Sequence, residues 1–298
     1  MAPTGVLRAV LTPVAPSAVW RAWEWDPSIL TGLALLGAVY VAGNLIRRRE
    51  HRRADRTRGR ESACFAAGWL LLVVALVSPL HPLGEQIFVA HMIQHELLMV
   101  AAAPLLILGR PERRLLWLLP VETRRALTRL SRGGIGTGWR MLSQPIVALS
   151  IYLVILLGWH LPGPYDAALR SEPIHALEHL AFLGSALIFW WVVFGAVGRS
   201  GRSGSAVLLL FGAAVCSSGL GALLTMSEQP WYSVYLGRTA IWGFSPLQDQ
   251  QLGGLIMWVP ACLTYLAAAL AITASWLALA GRRANAAGRP VRSLPEPR

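Results

Sequence analysis

Seven long apolar stretches, separated by shorter polar segments, dominate the pattern of the chain. Their lengths are close to the roughly 20 residues that an α-helix needs to cross the hydrocarbon core of a bilayer. No series of short alternating strands is present, and helices satisfy their own backbone hydrogen bonds in lipid. The pattern therefore predicts an all-α bundle of about seven transmembrane helices, over residues 29–46, 64–80, 86–108, 145–160, 174–197, 206–226 and 251–279.

Composition agrees with a chain that is surrounded by lipid. Only 14% of the 298 residues are charged and 55% are hydrophobic, whereas a soluble domain is about 25% charged and about 45–50% apolar. The bundle accounts for residues 29–280, which leaves an N-terminal tail of residues 1–28 and a basic C-terminal tail of residues 281–298. The length leaves no room for a separate soluble domain, and the start of the chain lacks the pattern of a cleavable signal peptide.

The formal net charge of +12, carried by arginine without any lysine, raises the question of nucleic acid binding. The arginines concentrate in two linkers, residues 47–60 and 110–140, and in the C-terminal tail. Because cytoplasmic loops of membrane proteins are enriched in basic residues, these segments are predicted to be cytoplasmic. Seven crossings then place the N-terminus outside and the C-terminus inside, and the lipid bilayer rather than nucleic acid is the partner of the basic charge.

Two local signals concern the ends of helices. The linker of residues 110–140 is predicted to form one amphipathic surface helix, over about residues 112–130, that lies against anionic lipid. Ser245, Pro246 and Gln248 form a capping signal for the start of the seventh helix. Asp249 follows in its first turn, where a carboxylate suits the helix dipole.

Six of the seven histidines fall near the outer ends of the predicted spans: His81, His91, His95, His160, His175 and His179. The seventh, His51, lies in the cytoplasmic arginine run and is interpreted as a solvated residue. His81 stands alone in a predicted loop and is interpreted as an interfacial hydrogen-bonding residue outside the site. Composition alone does not require the others to gather on one side of the membrane.

The spacing of the other five histidines predicts a metal site. His91 and His95 are four residues apart, so their side chains share one face of a helix. The same spacing separates His175 from His179. Helical bundles build metal sites from inward-facing side chains on neighbouring helices, and ionisable groups in a membrane usually face the bundle interior. With His160, these residues are predicted to meet at the outer mouth of the bundle.

Four neighbours of ligand type widen the candidate set: Met92, Met99, Glu178 and Asp249. Imidazole with thioether suits copper, especially Cu(I), whereas imidazole with carboxylate also suits zinc or iron. Methionine equally fills gaps in a core, and a carboxylate often orients a histidine without touching the metal. Both interpretations stay open at this point. The three cysteines lie in separate apolar stretches and are interpreted as packing residues.

Three blocks of sequence are similar to a known family. They comprise the segments HMIQH at 91–95 with LGRP at 108–111, GWHLP at 158–162 with HALEH at 175–179, and SPL at 245–247 with GLIMW at 254–258. Together they resemble the CtaG-type cytochrome c oxidase assembly factors of the caa3 kind, over roughly residues 78–276. The resemblance implies a multi-pass protein of the bacterial inner membrane, without turnover of its own. It also implies cytochrome c oxidase subunits as partners and a part in copper supply.

Two other functions are weighed against copper handling. Paired histidines on facing helices also serve as axial haem ligands in electron-transfer proteins. One haem would need one histidine from each side, which leaves two unexplained. A transporter would need polar groups that continue to the midplane and beyond. The inner halves of the predicted spans contain almost none.

Overall fold

A computed structural model describes residues 15–50, 56–196 and 203–287. Within these ranges the chain is helical and contains no strand. The α-helices are α1 (Pro27–Glu50), α2 (Arg56–Val77), α3 (Leu80–Gly84), α4 (Phe88–Glu96), α5 (Ala103–Gly109), α6 (Pro111–Leu118), α7 (Val121–Leu130), α8 (Gly134–Leu142), α9 (Pro145–Trp159), α10 (Pro162–Arg170), α11 (Glu172–Gly195), α12 (Ser203–Met226) and α13 (Pro246–Ala287). His51 and most of the basic C-terminal tail lie outside the described residues.

Six helical segments of the described chain are long and apolar enough to cross a membrane: Pro27–Ile46, Thr57–Val77, Phe88–Gly109, Glu172–Gly195, Ser203–Met226 and Pro246–Arg283. The predicted fourth crossing differs, because α9 has only 15 residues and meets α8 at a bend of 68°. The two helices form a seventh crossing if they count as one span. The prediction of an all-α bundle with about seven spans is confirmed, whereas the orientation of the termini stays a prediction.

The third span is the most enclosed of the six and consists of three parts. A π-helical stretch, Leu97–Ala102, joins α4 to α5 directly after Glu96. Pro104 follows this stretch. Because proline has no N–H to donate, the regular ladder of helical hydrogen bonds is interrupted at this residue as well. Helices α2, α11 and α13 pack around this span. Side chains on α4 therefore face the interior of the bundle.

The arginine-rich linker does not form the single helix predicted for residues 112–130. It divides into α6 and α7, because the backbone at Leu119 is extended before Pro120. A residue that precedes proline is disfavoured in the helical region, and proline itself has no N–H for the ladder. None of the residues of α7 is buried. The helix therefore keeps the surface position predicted for it.

Arg114 fixes α6 against the first two helices. Its side chain is fully buried, and its Nε donates to Oδ1 of Asn44 on α1 at 2.8 Å. Its Nη2 donates to Oε2 of Glu61 on α2 at 2.5 Å, and the guanidinium lies over the ring of Tyr40 at 5.6 Å. Such a buried cation requires its acceptors in place. The three helices are therefore joined at the arginine-rich end of the bundle.

The start of α13 confirms the predicted capping signal. The backbone N–H of Ser245 donates to Oε1 of Gln248 at 2.9 Å, and the N–H of Gln248 donates to Oγ of Ser245 at 3.2 Å. Two N–H groups that would lack helical partners are thus satisfied reciprocally. This signal could be predicted because all of its atoms lie within four consecutive residues.

Helices α12 and α13 approach closely at two glycines. A Cβ added at Gly254 would lie 2.5 Å from Oγ1 of Thr225 and 2.7 Å from the carbonyl oxygen of Gly221. We expect Gly254→Ala to lower the stability of the bundle by about 1–3 kcal/mol, since the added methyl group overpacks this contact. Thermal unfolding in detergent measures the effect. Gly219→Ala is the matched control, because its added Cβ meets nothing within 4 Å. Equal shifts in both variants would contradict the close approach.

Candidate metal centre

The start of α4 is anchored by Asp249 of α13. Its Oδ2 accepts a hydrogen bond from the backbone N–H of Phe88 at 2.6 Å, and its Oδ1 accepts one from the N–H of Val89 at 3.0 Å. A carboxylate is favoured at a helix N-terminus, where it meets free N–H groups and the positive end of the dipole. Asp249 was predicted as a possible metal ligand. The structure instead engages both of its oxygens with the backbone, in a position that holds α4 in place.

The structure brings the five predicted histidines together at one end of the bundle. The i, i+4 pairs have ring centroids 4.2 Å apart on α4, for His91 and His95, and 4.3 Å apart on α11, for His175 and His179. Between the helices, the centroids of His91 and His175 are 5.1 Å apart, and those of His95 and His179 are 5.5 Å apart. His160 joins the group at 5.8 Å from His95. All five side chains are buried.

Glu178 lies among these rings. Its Oε2 is 3.6 Å from Nε2 of His91, and its Oε1 is 3.9 Å from Nε2 of His95. The side chain is fully buried, and neither oxygen accepts a hydrogen bond. His91, His175, Glu178 and His179 each offer a ligand atom within 4.8 Å of the others. We call these four residues the buried set.

Six imidazole nitrogens of these histidines are buried without a hydrogen-bond partner. They are Nδ1 of His95 and the Nε2 atoms of His91, His95, His160, His175 and His179. Buried polar atoms are nearly always hydrogen-bonded, and each exception needs a reason. Three of these histidines, His91, His175 and His179, offer ligand atoms within 4.8 Å of one another and of Glu178, so a divalent cation there would satisfy their nitrogens together. His95 and His160 line the cluster but are not among these four residues. The donor set therefore fits a metal ion.

A chain of hydrogen bonds sets the tautomer of His91. The hydroxyl of Tyr235 donates to the carbonyl oxygen of Gly84 at 2.8 Å, so it has no proton left for Tyr165. The hydroxyls of Tyr165 and Tyr235 are 2.9 Å apart, and the proton between them must come from Tyr165. Nδ1 of His91, 2.9 Å from the Tyr165 oxygen, must then be the donor. The lone pair of His91 therefore lies on Nε2, the atom that faces Glu178.

Burial supports this arrangement, because it raises the pKa of the Tyr165 hydroxyl and of the Tyr235 hydroxyl well above the usual value. Both groups thus keep the protons that the chain requires. His160 is set in the same way, since its Nδ1 lies 2.7 Å from the carbonyl oxygen of Leu156, which can only accept. Hydrogen bonds to the other ring nitrogen commonly orient histidine ligands in this manner.

Helix α10 and the segment between α12 and α13 close over the cluster. The hydroxyl of Tyr232 donates to the carbonyl oxygen of His160 at 2.9 Å. Asp166 of α10 accepts hydrogen bonds from the hydroxyl of Ser233 and from Nη2 of Arg170, the latter at 3.2 Å. The aromatic residues between α12 and α13 are therefore part of the wall of the site. Sequence reasoning missed the tyrosines, although Tyr165 lies beside one of the motif blocks.

Neither methionine of the candidate set joins the ligand atoms in the contacts that the structure shows. Met92 packs in the hydrophobic core with Phe88 and lies against Gly253 of α13. Met99 is buried in the same core, and its carbonyl oxygen accepts the indole N–H of Trp190 at 3.0 Å. Both therefore act as packing residues, which is the alternative that the sequence left open.

The interpretation of His81 as a lone loop residue is wrong. It lies on α3, and its ring stacks on that of His175 at 5.0 Å with an interplanar angle of 11°. The short segment between the second and third spans carries no clear helical periodicity. Its folding back onto α4 could therefore not be read from the sequence.

An all-helical bundle with six or seven apolar spans and a buried histidine–glutamate cluster at one end defines a multi-pass membrane protein with a site of metal-ligand type. Residues 38–278 match the family profile described as cytochrome c oxidase caa3 assembly factor (Caa3_CtaG). This range covers most of the chain, which therefore belongs to the Caa3_CtaG family.

Two curated relatives are similar to the chain. They are the uncharacterized protein Mb0105 of Mycobacterium bovis and the uncharacterized protein MT0111 of Mycobacterium tuberculosis. Each is 28% identical over 278 residues, which is 89% of this chain and 40% of the relative. The chain thus spans about 40% of the length of these relatives. No solved structure is significantly similar to it.

Proposed function

We propose that the chain assists the assembly of cytochrome c oxidase in a bacterial inner membrane by binding copper in the buried set and releasing it to an oxidase subunit. Family membership supports the assembly role. The copper role rests on one observation, the unpartnered Nε2 atoms around the carboxylate of Glu178. By the arginine distribution, the N-terminus and the cluster face the outside of the membrane.

The donor set favours copper over other common ions. Imidazole nitrogen and carboxylate oxygen suit several divalent metals, and affinity among these generally peaks at Cu²⁺. No thioether belongs to the buried set, so the strong preference for Cu(I) that methionine ligands would give is absent. Cu²⁺ is therefore the expected cargo, with Zn²⁺ as its main competitor.

The same set suits an ion that must leave again. Neutral imidazoles bring no charge, and Glu178 is the one carboxylate of the four residues. A divalent ion would keep a net positive charge in a region of low dielectric, which lowers its affinity relative to a fully neutralised site. Such a site holds the ion without making release prohibitive. Delivery of this kind requires no chemical turnover by the chain.

Haem binding is the second candidate, since histidines on facing helices can ligate iron axially. The side chains leave little room for a planar macrocycle. The ring centroids of Phe182 and His95 are 4.4 Å apart, so an aromatic side chain already covers one of the rings that would face the haem. This crowding favours a single ion. A Soret band in the purified protein would favour haem instead.

Complementation of a strain that lacks the chain tests the proposal. We expect the wild-type gene to restore oxidase activity and the copper content of the oxidase. Glu178→Gln should restore neither, because it removes the carboxylate that faces His91 and His95. The matched control is Glu172→Gln, an exposed carboxylate at the start of the same helix, which should restore both. Full restoration by Glu178→Gln, with protein levels equal by immunoblot, would contradict the proposal.

A further inference from the structure

A second group of ligand-type residues lies beside the buried set. His81, Glu85 and His175 each offer a ligand atom within 4.8 Å of the others. We call these residues the outer set. His175 belongs to both sets, and its ring lies 5.0 Å from that of His81 and 5.1 Å from that of His91. An ion in one set would therefore already hold a ligand of the other.

The two sets differ in accessibility. His91 and Glu178 of the buried set have no exposed side-chain surface, whereas Glu85 of the outer set is only half-buried. An ion that approaches from the end of the bundle where α3 lies can reach Glu85 without any opening of the interior. The ion can then enter the buried set past His175 by exchanging one ligand for another. It never has to cross the bundle free and dehydrated, which would cost much free energy in a medium of low dielectric.

The hydrogen bonds also make the outer set the weaker one. Nε2 of Gln94 donates to the carbonyl oxygen of Ala75 at 2.7 Å and to Nδ1 of His81 at 2.8 Å. Because Nδ1 of His81 accepts, the proton of its neutral ring lies on Nε2. To bind a metal, His81 must therefore either break the hydrogen bond at Nδ1 or lose the proton from Nε2. In His91 the hydrogen bonds that involve Tyr165 and Tyr235 have the opposite effect, because they keep the proton on Nδ1 and leave Nε2 free to bind a metal.

We propose that His81, Glu85 and His175 form a weaker entry site that passes the ion to the buried set through the shared ligand His175. This inference rests on the proposed function, because it names the route by which the same cargo arrives. Transfer proceeds by exchange of ligands. His175 stays bound while His81 and Glu85 are replaced by residues of the buried set. The gradient in ligand quality directs the ion inwards.

Stopped-flow measurements on the full chain in detergent, with Cu²⁺ as the probe and tryptophan fluorescence as the signal, test this route. In Glu85→Gln and His81→Ala we expect loading to slow by about tenfold or more, since a barrier higher by about 1.4 kcal/mol has that effect. Release to a chelator should slow by the same factor. The dissociation constant should stay unchanged, because the route does not alter the difference in free energy between free and bound ion. Glu172→Gln should leave both rates unchanged.

The other possible outcomes would overturn either the entry site or the proposed function. Unchanged rates in both variants would overturn the entry site while leaving the buried set intact. A weaker dissociation constant with faster release would overturn it as well, because His81 or Glu85 would then be a ligand of a single common site. If the wild-type protein retained no Cu²⁺, the proposed function itself would fail. Should His81→Ala not fold, the isosteric Glu85→Gln decides alone.

Discussion

Replacement of His91 and His179 together by alanine is expected to abolish tight Cu²⁺ binding while the protein still inserts into the membrane. The two residues lie on different helices, α4 and α11, and their loss leaves only His175 and Glu178 of the buried set. Loss of a residue that merely supports a ligand weakens metal binding by about 10–100-fold, so removal of two ligands should exceed that range. Equilibrium dialysis of the detergent-solubilised protein measures the loss.

The control for this experiment is His51→Ala. His51 is the histidine that the sequence places in the arginine-rich segment away from the cluster. Its replacement should leave the affinity and the amount of bound copper unchanged. The assigned site would be wrong if the double variant bound copper with wild-type stoichiometry and affinity.

Tyr235→Phe is expected to weaken Cu²⁺ binding more than Tyr165→Phe does, although Tyr165 is nearer to the ligand. Without the Tyr235 hydroxyl, Tyr165 would turn its proton to Nδ1 of His91, which moves the histidine proton to Nε2. In Tyr165→Phe, Nδ1 of His91 can still donate to the Tyr235 oxygen, which lies 3.3 Å from it in the wild-type structure, so Nε2 stays free. We expect a loss of affinity of about 10–100-fold in Tyr235→Phe, the range seen when partners that orient a ligand are removed.

The tautomer of His91 is the readout that distinguishes this effect from loss of packing. Nitrogen-15 chemical shifts of labelled histidine should report a proton on Nε2 in Tyr235→Phe and on Nδ1 in the wild type. Tyr152→Phe is a matched control, because the Tyr152 hydroxyl is also buried against another tyrosine, at 2.5 Å from that of Tyr265. It should preserve both the tautomer and the affinity. A larger loss in Tyr165→Phe than in Tyr235→Phe would contradict the hydrogen-bond chain.

Local pattern was enough to predict much of the fold. Membrane spans follow from stretches of apolar residues, and the cap of α13 follows from Ser245 and Gln248, which are neighbours in sequence. The histidine pairs were equally predictable, since helical periodicity puts His91 and His95 on one face. These features depend on distances of a few residues along the chain. Their geometry is fixed once a helix forms.

Features that depend on contacts between distant segments were not predictable. The hydroxyl of Tyr235 meets His91 across 144 residues, and no periodicity connects them. His81 was interpreted as isolated because the return of α3 onto the bundle depends on tertiary packing. Asp249 illustrates the same difficulty, since its oxygens accept from α4 rather than from its own helix. Only the arrangement of helices could show that a first-turn carboxylate anchors a different span.

The copper content and paramagnetic resonance spectrum of the purified, Cu²⁺-loaded chain test the central claim most directly. We predict one tightly held Cu²⁺ per chain, with hyperfine coupling to several imidazole nitrogens and loss of that signal in the double histidine variant. Copper that washes away completely, or a bound ion without nitrogen coupling, would show that the converging imidazoles of α4 and α11 are not a copper site.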